Sequence, residues 1–114
     1  RPQKAADGVT AALRGDTGIA GIYNITQGND AIAERIRPRA PDKPIAFICH
    51  DLTPTTRDLL MAHAVDVVID QDPILEARRA MELILQHHGR LAGRQVTGAT
   101  PLRVVFRENA VDLI

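Results

Sequence analysis

Three apolar runs in this chain end in polar side chains able to hold a hydroxylated ligand. AGIYNI (20–25) contains Asn24 and leads into Thr26, Gln27 and Asn29. IAFIC (45–49) leads into His50 and Asp51, and VDVVI (65–69) into Asp70, Gln71 and Asp72. A carboxylate such as Asp51 accepts two hydrogen bonds from vicinal hydroxyls, while an Asn or Gln carboxamide both donates and accepts. Such bonds impose orientation, because a buried polar group left unpaired costs about 1–3 kcal/mol. The same residue types also cap helices and form turns where strands pass into helices. Asp30 and Asp72 fit that structural role best. Asp51 and Gln71 are the stronger ligand candidates, since Thr53 and Asp72 already occupy the cap positions next to them.

Other chemistry fits less well. Cys49, His50 and Asp51 hold the groups of a nucleophile, a base and an orienter, but neighbouring strand residues point to opposite faces. We therefore expect no catalytic residue. His87 and His88 diverge by about 100° around a helix, and His63 adds no ligand spacing, so neither a metal site nor a cofactor is expected. A phosphorylated receiver domain would need an acidic pair after its first strand, and Asn24-Ile25 supplies none. A dinucleotide fold would need G-x-G-x-x-G between strand and helix, whereas Gly15 and Gly18 precede the first strand.

The elements that must position these groups can be read from periodicity. Residues 4–14 have Val9, Ala12 and Leu13 on one helical face. Asn29 or Asp30 is expected to cap a helix through Arg37, ended by the proline-rich stretch 38–44. Thr53 with Pro54 opens a helix to about His63, and Asp72 with Pro73 opens the longest, reaching His88 before Gly89. A last strand is expected over 102–107. Strands separated by helical stretches are the pattern of βαβ units, and unalternating runs such as IAFIC suit a sheet covered on both faces. The expected fold is α/β: a three-layer α/β/α sandwich with a mainly parallel sheet, in which ligands bind beyond the carboxyl ends of the strands.

At 114 residues the chain is sized for one domain. Fourteen basic and fourteen acidic residues balance, so this stretch offers no electrostatic reason to bind DNA. A single cysteine excludes an internal disulfide and fits a reducing compartment. No apolar run approaches the roughly 20 residues of a transmembrane helix, and no membrane partner is expected. The chain starts Arg-Pro, which leads us to expect a piece of a larger protein.

The run His50-Asp51-Leu52-Thr53-Pro54 after IAFIC, followed by Val65 to Pro73 with its Gln71-Asp72-Pro73 ending, resembles the last lobe of LacI/GalR-type regulators and ribose-binding proteins. Gly21-Ile22-Tyr23-Asn24 and Arg107-Glu108-Asn109 extend the likeness over nearly the whole chain, which corresponds to about the final third of a complete regulator. The resemblance implies one lobe of a type I periplasmic-binding-protein-like domain. It also implies a small-molecule effector such as a sugar or polyol, held by Asp51 and Gln71 with His50 at the rim. The family's asparagine after the first strand could be either Asn24 or Asn29. DNA would be bound only through an N-terminal helix-turn-helix outside this stretch, by a cytoplasmic homodimer. The alternative is a fragment of an exported sugar-binding protein serving an ABC importer. The resemblance further implies that the helix over 73–88 packs on the N-terminal lobe. Without that lobe, its apolar stripe (Ile74, Ala77, Met81, Ile84, Leu85) is expected to fold onto this lobe's own surface or pair with a second chain, since each buried side chain contributes about 1.5–3 kcal/mol.

Overall fold

Proline marks three of the helix starts, and at two of them a polar side chain caps the first turn. In the computed structural model, which describes residues 1–37, 42–93 and 95–110, α1 (Pro2–Gly15), α3 (Pro54–Met61) and α4 (Pro73–His87) each begin on proline. Proline suits that position because its missing N–H would have had no helical partner. Thr53 caps α3 by accepting from the Thr56 N–H at 3.2 Å, and Thr56 Oγ1 reciprocates from the Thr53 N–H at 2.9 Å. Asp72 caps α4 by accepting from the Leu75 N–H at 3.2 Å. Both helices end in the same device. His63 (φ 60°) and Gly89 (φ 65°) adopt the left-handed conformation. The next amides, Ala64 and Arg90, then reach back to Leu59 O and Leu85 O at 2.8 and 2.9 Å.

The start of α2 (Asn29–Ile36) differs from expectation. Its cap position belongs to Gly28, left-handed at φ 89° and without a side-chain bond, while Asn29 is the first helical residue. A Cβ on Gly28 would lie 2.8 Å from Pro2 Cα, so only glycine lets α1 and α2 meet this closely. The proline-rich stretch expected to end α2 lies partly outside the described residues, at 38–41.

The sheet has the order β1 (Gly21–Asn24), β2 (Ala46–His50), β3 (Val67–Asp70) and β4 (Arg103–Val105). The first three are parallel and β4 runs antiparallel to β3. β3 starts two residues later than the apolar run does. Val65 belongs to the turn that closes α3, and Asp66 bonds Phe47 with both its carboxylate (2.8 Å) and its N–H (2.9 Å). The connections through α2 and α3 step the same way along the sheet, and crossovers of one hand lay both helices on one face. That face holds the core: Ile22, Phe47, Cys49, Val68 and Val105 meet Ala6 of α1, Ile32 and Ala33 of α2, Leu60 of α3 and Ala110 of α5 (Arg107–Ala110). The α/β architecture with a mainly parallel sheet forms as expected, while the third layer of the expected α/β/α sandwich is not filled by any described helix, because α4 stays off the second face.

The other face carries Tyr23, Ile48, His50, Val67, Ile69 and Val104, none of them fully buried. α4 does not close over it. No residue of α4 is buried, and Ile74 and Ile84 are 78% and 54% exposed. The helix is accompanied instead by the returning segment 95–102, where Gly98 lies beside Leu83 and Thr100 Oγ1 reaches Glu76 Oε1 at 3.5 Å. The chain is 59 Å long against 28 and 21 Å in the other directions. Its radius of gyration is 18.2 Å, where a single packed unit of this length would have about 13 Å. Of the two outcomes expected for α4, folding onto the lobe's own surface is not what forms: its apolar stripe and the partly apolar second face of the sheet both stay uncovered.

Candidate functional site: the carboxyl rim of the sheet

The carboxyl ends of β1, β2 and β3 lie side by side in the register Asn24↔Cys49 and His50↔Ile69, which gathers the polar groups along one rim. At the first end, Asn24 is spent internally. Its Nδ2 donates to Thr26 O (3.0 Å) and Asn29 Oδ1 (2.7 Å), and its Oδ1 accepts from the Thr26 N–H (3.2 Å) and Oγ1 (2.8 Å). Those four bonds use the whole capacity of a carboxamide. Asn29 gives only its Oδ1 to this knot, and its Nδ2 has no partner among the described residues. The expectation that Asn29 or Asp30 caps α2 is thus replaced by a different arrangement, in which the asparagine pair ties β1 to the first turn of α2.

At the second end, His50 projects to the open face and its Nε2 meets the hydroxyl of Tyr23, with ring centroids 5.3 Å apart. Asp51 is exposed and left-handed at φ 67°. Its backbone is pinned on both sides: the N–H donates to Ile69 O (2.9 Å) and the carbonyl accepts from Thr56 Oγ1 (2.6 Å). Its carboxylate has no hydrogen-bond partner among the described residues. A left-handed non-glycine residue costs on the order of 1–3 kcal/mol and persists only where its surroundings hold it. Asp72 (φ 52°) is left-handed at the same rim.

The third end is built on Asp70, one of the polar residues expected at this rim, and on Arg103, which does not stand out as a site residue in the sequence. Asp70 is 3% exposed, and its Oδ1 accepts from the Leu52 N–H at 3.1 Å. Its Oδ2 takes Nε (3.1 Å) and Nη2 of Arg103, its register partner on β4. The same Nη2 lies 3.9 Å from Asp72 Oδ2. The hydrogen bond to Asp70 raises the Arg103 pKa further, so the guanidinium stays charged. Gln71, between the two aspartates, is exposed and its carboxamide is unpaired among the described residues. The signal for Arg103 lay in strand direction. An antiparallel return strand starts at the end where the parallel strands finish, so its first residue reaches the rim.

The rim thus combines three carboxylates, one guanidinium and several carboxamides, a set that can accept from and donate to hydroxyls. Nucleophilic chemistry has no support in it. Cys49 faces the core, and burial, with a smaller effect from the Asp51 charge, pushes its thiol up to about 11. The thiol is therefore protonated near neutral pH, and His50 points to the opposite face. Among the described residues, no group of three or more His, Cys, Asp and Glu could hold a metal ion, and no helix is long and apolar enough to cross a membrane.

Solved structures with the same fold are numerous, although no protein-family model matches the sequence and no curated protein sequence matches it significantly. GanP, a glucose-galactose binding protein from Geobacillus stearothermophilus, superposes with a TM-score of 0.78 at 15% identity over 96% of this chain and 39% of its own. An ABC transporter solute-binding protein from Actinobacillus succinogenes with bound D-allose gives 0.78 at 16% identity, over 98% of this chain and 39% of its own. A protein assigned as a LacI transcriptional regulator from Bacteroides fragilis gives 0.71 at 17%, over 96% and 37%. This chain therefore spans about two fifths of the length of the structures it matches, and its fold is that of one lobe of a type I periplasmic-binding-protein-like domain.

Proposed function

We propose that the chain is the ligand-facing lobe of a two-lobed sugar-binding module in a LacI-type transcriptional regulator, with Asp51 and Gln71 as its principal ligand contacts. One observation carries the ligand-facing part of this reading, while the regulator part rests on the sequence resemblance. Among the described residues Asp51 and Gln71 both present unpaired side chains, and Asp51 does so from a backbone pinned on both sides. Both stand on the rim where open α/β sheets bind ligands. Of the two asparagines, Asn29 keeps a donor without a partner among the described residues and is the better third contact, whereas Asn24 serves the structure. His50, joined to Tyr23, would border the cleft. With three carboxylates against one guanidinium, the rim favours a neutral polyol that donates hydroxyl hydrogens. Sugars named with the matched structures, among them D-allose and glucose-galactose, have that chemistry.

In this reading the second lobe closes over the ligand, and preferential binding to the closed state shifts the DNA-binding equilibrium of a cytoplasmic homodimer. The exposed stripe of α4 would then be covered by that second lobe. A second reading, the ligand-binding subunit of an ABC sugar importer, draws support from the transport proteins among the structural matches. Titrating the full-length protein calorimetrically with a panel of aldohexoses and aldopentoses tests the site. Asp51→Ala and Gln71→Ala should each weaken binding by roughly 10- to 100-fold, and unchanged affinity in both would sink the assignment. Sugar-dependent binding to operator DNA supports the regulator, while an N-terminal export signal supports the importer.

A further inference from the structure

Asp70 is the most buried carboxylate of the rim and bonds neither of the two candidate ligand side chains. Its two oxygens look in different directions. Oδ1 holds the Leu52 N–H, the residue directly after Asp51, and Oδ2 holds Nε and Nη2 of Arg103. The same guanidinium reaches Asp72 Oδ2, so Gln71 is flanked on both sides by carboxylates facing one cation. Asp72 in turn carries a left-handed backbone and the cap of α4. These residues also mark the two points where the chain leaves the sheet for the α4 arm, after Asp70, and re-enters it, at Arg103.

We propose that Arg103 is the positioning residue of this ligand rim: by gripping Asp70 and Asp72 together it holds the Gln71 turn directly and the Asp51 loop through the Leu52 amide. The inference rests on the sugar-binding reading above for its functional meaning, and on the hydrogen bonds to Asp70 and the 3.9 Å ion pair to Asp72 for its structural content. Three carboxylates at one rim repel each other, and Asp70 is buried, so the arrangement needs a cation that meets more than one acceptor at once. A guanidinium does this with a planar fork of donors. A lysine ammonium is a point charge and cannot hold the same set in one geometry. Ligand affinity depends on such support, since side chains displaced by even about an ångström lose much of their interaction.

The test uses the full-length protein carrying Arg103→Lys, which keeps the charge, and Arg103→Met, which removes it. Native-state amide exchange is read at Leu52 and Leu75, whose N–H groups bond Asp70 and Asp72, and at Phe47 and Val68 in the central strands. For Arg103→Lys, exchange at Leu52 and Leu75 should accelerate about tenfold or more with Phe47 and Val68 unchanged. Affinity for whichever of D-allose, D-galactose and D-arabinose the parent protein binds should fall at least about tenfold. Unchanged exchange at Leu52 and Leu75 overturns the proposal. So does a uniform acceleration across all four amides, which would make Arg103 merely a part of global stability. Should Arg103→Met fail to fold, Arg103→Lys alone decides. If Asp51→Ala and Gln71→Ala leave sugar binding intact, the site reading fails while the exchange data still judge the clamp. If those two lose binding and Arg103→Lys does not, the site stands and the positioning role falls.

Discussion

α3 and α4 are built with the same local chemistry and end in opposite environments. Each starts with a side-chain cap followed by proline, and each stops on a left-handed residue with the following amides folded back onto the last turn. Yet α3 buries Leu60 and Thr56 in the core of the lobe, whereas α4 buries nothing. Caps and stops therefore make a helix; they do not give it a place. The difference lies in the route the chain takes out of each helix. From α3 it returns as the parallel strand β3, and that crossover lays the helix on the sheet. From α4 it returns along the same arm to an antiparallel strand, which leaves the helix outside the body.

The largest expected consequence separates the two helices. Leu60→Ala should lower the unfolding free energy by about 2–5 kcal/mol in urea denaturation, because the surrounding helices and strands cannot collapse into the space. In the 114-residue chain by itself, without a second lobe, Ile84→Ala on α4 should stay within about 0.5 kcal/mol, as expected for an exposed site. A comparable loss at Ile84 would mean that α4 is covered in solution, and would point to a second copy as its partner.

A smaller effect tests whether the arm unfolds independently. Removing the α3 cap with Thr53→Ala should lower global stability by about 0.5–2 kcal/mol, since α3 is part of the cooperative core. Asp72→Ala removes an equivalent cap from α4. Its effect should appear as faster amide exchange along 76–87, with a much smaller change in the urea midpoint. Equal midpoint shifts for both variants would show that body and arm unfold as one unit.

The smallest effects concern the stops. Gly89→Ala places a side chain at φ 65° in open space, so the cost is conformational, about 1 kcal/mol, and confined to exchange in the last turn of α4. His63→Gly after α3 relieves the same conformation but gives up the contacts of His63 with Arg107 Nη1 (2.6 and 3.0 Å). The two changes should nearly cancel, with a stability change under about 0.5 kcal/mol in urea denaturation.

Much of the fold was legible because its signals are local. Thr53-Pro54, Asp72-Pro73 and Gly89 mark helix ends by backbone hydrogen-bond demand alone, and the apolar runs mark the parallel strands to within two residues. The misreadings share one cause, which is contact between residues far apart in sequence or position. Asn29 has the right side chain for a cap, but the close approach of Pro2 requires glycine at the cap position, and Asn24 takes Asn29 for its own hydrogen bonds. Arg103 reads as an ordinary strand residue until the direction of β4 is known.

The sequence by itself determined the α/β class, the starts of α3 and α4 and the rim on which Asp51 and Gln71 lie, because each follows from periodicity or from capping within a few residues. Only the tertiary structure decided which polar groups remain free. Asn24 is saturated, Asp51 and Gln71 are unpaired among the described residues, and Asp70 is committed to Leu52 and Arg103. The physical reason is that hydrogen-bond capacity is shared among residues distant in sequence, so the capacity left for a ligand is known only once every other partner is in place.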